Sequence, residues 1–257
     1  MCEIFGLTSK KTIDAGKLLK EFYSHSDEHP HGWGLALFDG HDVSVEREPV
    51  KAGKSTYLKN RLKGNLSAPV ILAHIRRATT GNIEYGNCHP FVKTDESGRT
   101  WTLIHNGTIF EAPQLSPYQY EQSGATDSER ILLYLVDKMN RRFLKDFSLF
   151  EVNARLDLLS ELIAGLAPEN KLNLIFYDGE YMYVHTNAPG TLMLSERPGH
   201  TIISTTSLDD GAWMDVPLNR LLVYKEGALV YEGKEHPHTY VEDPEKIKYL
   251  YLAFAGL

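Results

Sequence analysis

The sequence predicts an α+β domain built on antiparallel sheets, and three observations predict it. Short apolar runs of strand length fill both ends of the chain. Hairpin-type dipeptides punctuate them at Asp39-Gly40, Asp178-Gly179 and Glu226-Gly227. Between the two strand-rich parts lie two stretches whose apolar residues recur at helical spacing. Strands, two central helices, then strands again is the order of a layered α+β domain rather than of alternating β and α units.

In chain order, Cys2 to Thr8 reads as a strand. Ala15, Leu18, Leu19 and Phe22 predict a helix over about 13–23. His29 to Gly34 is a loop leading into Leu35–Phe38, and Asp39-Gly40 turns the chain towards Val43 and Val45. Ser55 to Leu62 reads as a short helix. Val70-Ile71-Leu72-Ala73 is a buried strand running into Arg76, and Trp101–Ile104 is another, ending at His105-Asn106-Gly107. Thr126-Asp127-Ser128-Glu129 has the capping-box pattern, followed by Ile131, Leu132, Leu135, Val136 and Met139 on one helical face. A second helix carries Val152, Leu156, Leu159, Ile163 and Leu166. Three hairpin-like pairs follow: Leu172–Tyr177 with Tyr181–His185, Leu192–Ser195 with Ile202–Ser204, and Leu221–Tyr224 with Ala228–Tyr231. No repeat, low-complexity stretch or Pro/Gly/Ser-rich linker interrupts the chain, so a single domain over 1–257 is expected.

The 257 residues are 42% hydrophobic and 24% charged with net charge −7, the balance of a globular protein. No run of one sign points to nucleic acid or an anionic membrane surface. No apolar stretch has membrane-spanning length, and the N-terminus lacks a secretory pattern, so a cytoplasmic location is expected. Two cysteines are too few for a disulfide framework or a structural zinc cluster, and no metal or other cofactor is expected.

Cys2, directly behind Met1, is the most informative residue. A second residue that small normally lets the methionine be trimmed, leaving a free α-amine and a thiol on one residue. With an amine titrating at roughly 7.7–8.0 and a thiol at about 8.5, the amine can take the thiol proton near neutral pH. Four further motifs can serve such a nucleophile. Arg76, after a buried strand, can grip a carboxylate or pair with a nearby acid. His105-Asn106-Gly107 reads as a tight turn, or as an oxyanion hole made by a side-chain amide and a backbone N–H. Asp127 in the first helical turn suits the helix dipole and can also hold an ammonium group. Asn87-Cys88-His89-Pro90-Phe91 reads as a polar turn in which Cys88 and His89 point apart, so His89 is expected to buttress a pocket rather than bind metal. Nucleophile, oxyanion hole, cation and anion together suit cleavage of the side-chain amide of an amino acid, most simply glutamine.

Six motifs now stand in order: Met1-Cys2-Glu3, Gly32-Trp33-Gly34, Ala73-His74-Ile75-Arg76, His89-Pro90-Phe91, His105-Asn106-Gly107 and Thr126-Asp127-Ser128-Glu129. In that order and spacing the chain resembles the class II glutamine amidotransferases, N-terminal-nucleophile (Ntn) hydrolases with an N-terminal cysteine, and within them the stand-alone bacterial subgroup. The resemblance covers roughly the first half of the chain. It implies a four-layer αββα sandwich of two antiparallel sheets. It implies Cys2 as nucleophile, Asn106 and Gly107 as oxyanion hole, and Arg76, Thr79 and Asp127 as substrate ligands, with His89, His105 and Trp33 as pocket support. Two positions depart from the pattern: His31 stands where the subgroup often has an acid, and Arg77 where fused relatives often have tryptophan. The implied reaction releases glutamate and ammonia through a thioester, with ammonia passing to an acceptor partner protein. Hydrolysis of γ-glutamyl peptides of thiol metabolism is the alternative. A non-catalytic binding or regulatory protein is the second alternative, should Met1 be retained.

Overall fold

The structure is a computed structural model describing residues 1–40, 42–145, 151–245 and 250. The chain runs β1 (Glu3–Asp14), α1 (Gly16–Ser24), β2 (Trp33–Asp39), β3 (Asp42–Glu48), α2 (Thr56–Arg61), β4 (Ser67–Ile75), β5 (Phe91–Thr94) and β6 (Thr100–Thr108). Then come α3 (Asp127–Lys145), α4 (Val152–Leu166), β7 (Lys171–Tyr177), β8 (Met182–Thr186), β9 (Met193–Arg197), β10 (His200–Ser204), β11 (Met214–Asp215), β12 (Arg220–Lys225) and β13 (Ala228–Glu232). The strands form two antiparallel sheets, ordered β11-β9-β10-β1-β4-β2-β3 and β13-β12-β8-β7-β6-β5.

Side-chain alternation assigns the layers. Along β1, Ile4 points into a core shared with Ile104, Ile175, Val184 and Leu222 of the other sheet. Its neighbour Phe5 points the opposite way, into a second core with Leu19 and Phe22 of α1 and Leu58 of α2. Leu103 and Ile104, and Phe176 and Ile175, divide in the same manner: one of each pair faces the other sheet, and one faces α3 and α4. Each central strand is therefore covered on both faces, so its apolar run is continuous although its partners are antiparallel. The result is the αββα order of the Ntn-hydrolase fold, as the resemblance implied.

Four local features differ from expectation. β1 continues six residues beyond Thr8, because a register shift lets Ile13 and Asp14 pair with Ala68 and Ser67, and α1 starts only at Gly16. His105-Asn106-Gly107 is not a turn: these residues pair with Leu174, Asn173 and Leu172 inside β6. The polar turn before Pro90 is buried, with Asn87, Cys88 and His89 at most 3% exposed, and it leads into an additional strand, β5. The capping box is half formed. Thr126 Oγ1 accepts from Glu129 N at 3.3 Å, but the Glu129 carboxylate turns to Ser123 N and Gly124 N instead of closing the box.

Candidate active site

One end of the sandwich gathers the polar motifs. The starts of β1 and β2 meet the end of β4 there, through Glu3 opposite Ile75 and Ile75 opposite Trp33. The end of β6 meets the start of β7, with Thr108 opposite Lys171. Two stacked histidines tie the sheets together: His74 of β4 lies 3.9 Å from His89, ring to ring, and His89 Nδ1 accepts from His105 N at 3.2 Å. Burial pushes both rings well below the ordinary histidine range, so they are neutral packing groups. The packing is close enough to require Gly34, where a Cβ would lie 1.8 Å from His89 O.

Cys2 is half-buried at the mouth of this end. Its Sγ accepts from Arg77 N at 3.3 Å and faces Arg77 O at 3.4 Å. Burial pushes the thiol up, against the Met1 amine, the Arg77 backbone and Arg76, which pull it down; Asp127 adds to the upward push. Burial lowers the Met1 α-amine, which lies within electrostatic reach of Cys2, Arg77, Lys171 and Glu242. The next residue, Glu3, is held by His25 Nδ1 at 2.9 Å and His29 Nε2 at 3.3 Å. Burial opposes its charge, but those bonds keep the Glu3 carboxyl below the usual range.

Arg76 is buried and donates to Asn82 O, Thr80 O and Gly81 O at 2.8–3.1 Å. Three of its five N–H groups thus hold its own loop, and two remain. The same loop is pinned by Asn87, which donates to Asn82 O and Glu84 Oε1 and accepts from Ala125 N at 2.7 Å. Asn87 thereby couples the Arg76 loop to the segment that opens α3. Asp127 stands in the first turn of α3, where it accepts from Ile109 N at 2.8 Å and Ser128 N at 2.9 Å. Thr79 Oγ1 reaches Thr108 Oγ1 at 3.5 Å, the outer limit of a hydrogen bond. His31, one of the two departures, accepts on Nδ1 from Ala78 N at 2.9 Å and so fixes the far side of the Arg76 loop. Trp33 packs lower, donating to Glu48 Oε2 at 3.0 Å and stacking on Tyr57.

The β6 ladder explains how Asn106 and Gly107 can be free donors. Leu172 N donates to Asn187 Oδ1 and Leu172 O faces His185 Nδ1, so Leu172 spends both backbone groups on the β8 side. Gly107, opposite Leu172, is therefore in a non-hydrogen-bonded pair, and its N–H points away from β7. His105 N, two residues earlier and on the same side, is taken by His89. β5 pairs only as far as Leu103, so among the described residues no strand reaches the Gly107 N–H. Asn106 is 3% exposed, and its Oδ1 is buried with no partner among the described residues. Burial lowers His105, against Asp127 and the Lys171 carbonyl, which raise it; Nε2 donates to Lys171 O at 3.1 Å and Nδ1 lies 2.9 Å from Ser128 Oγ. A side chain at Gly107 is excluded, since a Cβ would lie 1.9 Å from Lys171 O.

Residues 1–201 match the family model of the glutamine amidotransferases class-II. The chain belongs to that family. This class-II chain is 27% identical over 262 residues to an uncharacterized protein of Methanocaldococcus jannaschii, covering 91% of this chain and 72% of the relative. It is 30% identical over 242 residues to the amidophosphoribosyltransferase of the same organism, covering 90% of this chain but about half, 48%, of that relative. Among solved structures it superposes on a predicted glutamine amidotransferase from Pseudomonas aeruginosa with a TM-score of 0.65 at 19% identity, over 90% of this chain and 100% of that one. That superposition bears on the fold alone. Among the described residues no group of three or more His, Cys, Asp or Glu is arranged to hold a metal ion, and no helix is long and apolar enough to cross a membrane.

Sequence reasoning missed three parts of this candidate site. The Glu3–His25–His29 cluster joins residues from three separate segments. Asn87 was submerged in a motif read as a turn. Lys171 pairs with Glu242, whose surroundings carry no periodicity, at 3.6 Å.

Proposed function

We propose that the chain hydrolyses the side-chain amide of glutamine through a thioester on Cys2, after removal of Met1. The observation that carries this reading is the placing of two buried groups of opposite charge around the nucleophile: Arg76 is the chain neighbour of Arg77, whose N–H bonds Cys2 Sγ at 3.3 Å, and Asp127 accepts from Ile109 N at 2.8 Å, just past Gly107. A ligand with an α-carboxylate and an α-ammonium meets a partner for each end beside the nucleophile. Asp127 exchanges none of its backbone bonds to do so, since each carboxylate oxygen has a further lone pair. Arg76 uses the two N–H groups its loop leaves free, and Thr79 lines the same loop.

The α-amine of Cys2 takes the thiol proton, directly or through a water, and sulfur attacks the amide carbon. The oxyanion is held by the Asn106 side chain and the Gly107 N–H. The C–N bond breaks as the amine returns the proton to the leaving nitrogen, and ammonia departs. Water then adds to the thioester, with the amine again as base, and glutamate leaves as the thiol is restored. Ammonia is released to an acceptor protein or to solvent.

Intact-mass measurement together with an assay of glutamate release from glutamine tests the reading. The expected results are a mature chain beginning at Cys2 and loss of turnover in Cys2→Ala with an unchanged circular dichroism spectrum. A mature chain that keeps Met1, or turnover that survives Cys2→Ala, would overturn it and favour a non-catalytic role.

A further inference from the structure

The Glu3–His25–His29 cluster starts one residue from the nucleophile, and no step of the proposed reaction uses it. Glu3 shares a face of β1 with Phe5, which packs against α1, whereas Ile4 points between the sheets. On that helix side the Glu3 carboxylate lies 2.9 Å from His25 Nδ1 and 3.3 Å from His29 Nε2. Glu3 and His29 are both buried. His29 Nδ1 has no hydrogen-bond partner among the described residues, so the polar contact of this ring is the one to Glu3. Taking a carboxylate and its partners out of water is costly, and a buried charged cluster is weak evidence of stability gained. Its role lies instead in what it holds in place.

Both histidines belong to the connection 25–32 between α1 and β2. Further along it, His31 N donates to Arg76 O at 3.0 Å, Arg76 N donates to Gly32 O at 2.8 Å, and His31 Nδ1 accepts from Ala78 N at 2.9 Å. Arg77 lies between those two residues, and its backbone N donates to Cys2 Sγ at 3.3 Å. A closed circuit therefore runs from Glu3 through the connection to Arg77 and back to Cys2. Main-chain pairing leaves the start of β1 open on one side. Towards β10 the ladder ends with Phe5 opposite Ser204, and Ile4 is held there by Thr205 through Ile4 N to Oγ1 at 3.0 Å and Thr205 N to Ile4 O at 3.1 Å. Glu3 pairs with Ile75 on the β4 side. Its side chain supplies the second hold on the residue next to the nucleophile.

We propose that Glu3 is a positioning residue for the amide hydrolysis: clamped by His25 and His29, it sets the start of β1 so that the Cys2 thiol stays against the Arg77 backbone in its attacking position. The inference rests on the thioester reading above and deepens it. Glu3 acts through the backbone and through the connection 25–32, not on the reacting atoms. Loss of the clamp leaves Arg76 and Asp127 in place, so substrate still binds while attack slows. A misplacement of about 1 Å can cost around a hundredfold in rate.

The test measures kcat and KM for glutamine in the wild-type protein and in Glu3→Gln, His29→Leu and His29→Gln, together with the rate at which iodoacetamide alkylates Cys2 at neutral pH. Cys88 is 1% exposed and burial pushes its thiol up to about 11, so alkylation reads Cys2. His29→Gln keeps a donor where Nε2 stands, and His29→Leu removes it. Glu3→Gln and His29→Leu are expected to lower kcat by about ten- to a hundredfold with KM within about twofold, while His29→Gln stays within about threefold of wild type. The two damaging variants should also slow alkylation, because the thiolate loses the Arg77 N–H that favours it. Intact mass checks that Glu3→Gln still begins at Cys2, and the His29 variants leave residues 1–3 untouched and read the clamp by themselves. Wild-type kcat in His29→Leu, equal losses in His29→Leu and His29→Gln, or a raised KM at unchanged kcat would overturn the inference. A lowered melting temperature with no change in kcat would overturn it too, since the cluster would then be structural only. No glutamate release by the wild-type protein would overturn the thioester reading; the alkylation rates would then decide the placing of Cys2, and unchanged rates in Glu3→Gln and His29→Leu would overturn that as well.

Discussion

Replacing Asn106 by alanine separates catalysis from stability, because the structure makes the first effect large and the second small. Asn106 sits inside β6, 3% exposed, opposite Asn173 in the ladder. Its Oδ1 is buried with no partner among the described residues, so the folded state carries an unpaired acceptor. Such a group costs about 1–3 kcal/mol. Alanine removes that cost and loses a comparable amount of packing around the three heavy atoms it deletes, Cγ, Oδ1 and Nδ2. The expected change in unfolding free energy is thus within about 1 kcal/mol of zero, or favourable. The expected change in turnover is large: loss of one oxyanion donor lowers kcat by about 10²–10³, or roughly 2.7–4 kcal/mol of transition-state stabilisation, with KM little moved. Urea denaturation and steady-state glutamate release on the same preparation measure both. A fall in kcat of less than about tenfold, or a stability loss above about 3 kcal/mol, would refute the reasoning, since the amide would then be a structural hydrogen bonder rather than a donor held in reserve.

Further expectations follow from the same geometry. Gly34→Ala places a Cβ 1.8 Å from a backbone oxygen of His89, so it should destabilise by several kcal/mol or prevent folding, which thermal unfolding and soluble yield would report. Asn87→Ala unties the Arg76 loop from the start of α3 and should raise KM for glutamine more than it lowers kcat, as steady-state kinetics would show; an unchanged KM would count against the coupling. The His185–His236 pair gives the pH dependence. Burial lowers His185 to about 3 and His236 to about 4, both below the ordinary histidine value, so the folded state holds them neutral while the unfolded chain binds protons. Stability from this pair is therefore complete above about pH 6.5 and is lost as the pH falls towards 4 and then 3, by at most about 1.4 kcal/mol per pH unit for each ring. Urea midpoints at pH 7 and pH 5 should differ, and the difference should shrink in His185→Phe/His236→Phe; an undiminished difference would assign the acid sensitivity elsewhere.

What the sequence disclosed depended on how local the signal was. The hairpins turning at Asp39-Gly40, Asp178-Gly179 and Glu226-Gly227 are legible, because turn chemistry and alternation sit within ten or so residues of one another. The two central helices were legible from spacing alone, although Val152, counted on the apolar face, is 36% exposed at the first turn of α4. β5 is not legible locally, because the run before it is polar and a polar run has the composition of surface. Asn87 and His89 are instead buried polar residues whose partners, Ala125 and His105, lie far along the chain. Local pattern cannot distinguish a solvated polar turn from a satisfied polar core. Similarly, Asn106-Gly107 has the composition of a tight turn, yet lies in a ladder whose other strand begins more than sixty residues later.

The candidate site divides along the same line. Cys2, Arg76, Asn106, Gly107 and Asp127 could be picked out because each is attached to a local motif. Their convergence could not, since it depends on which strand ends share one end of the sandwich. The ladder adds a reason that no motif contains. Leu172 turns both its backbone groups towards β8, and this leaves the opposite Gly107 N–H without a partner on β7. The free donor is thus a consequence of sheet parity three strands wide, set jointly by Gly107, Leu172 and Asn187. Asn187 is the residue on which that parity hangs, for its Oδ1 takes Leu172 N at 2.9 Å while its Nδ2 holds Asn170 O at 2.8 Å and His238 O at 3.2 Å. Asn187→Leu should therefore loosen both the start of β7 and the segment 236–240, which Asn187 holds through His238 O and Tyr240 N. Amide hydrogen exchange is expected to accelerate at Leu172 and Tyr240 ahead of the β6–β7 centre, at Ile175. Uniform acceleration across β7 would instead mean that Asn187 supports global stability only, with no particular hold on the Gly107 side of the site.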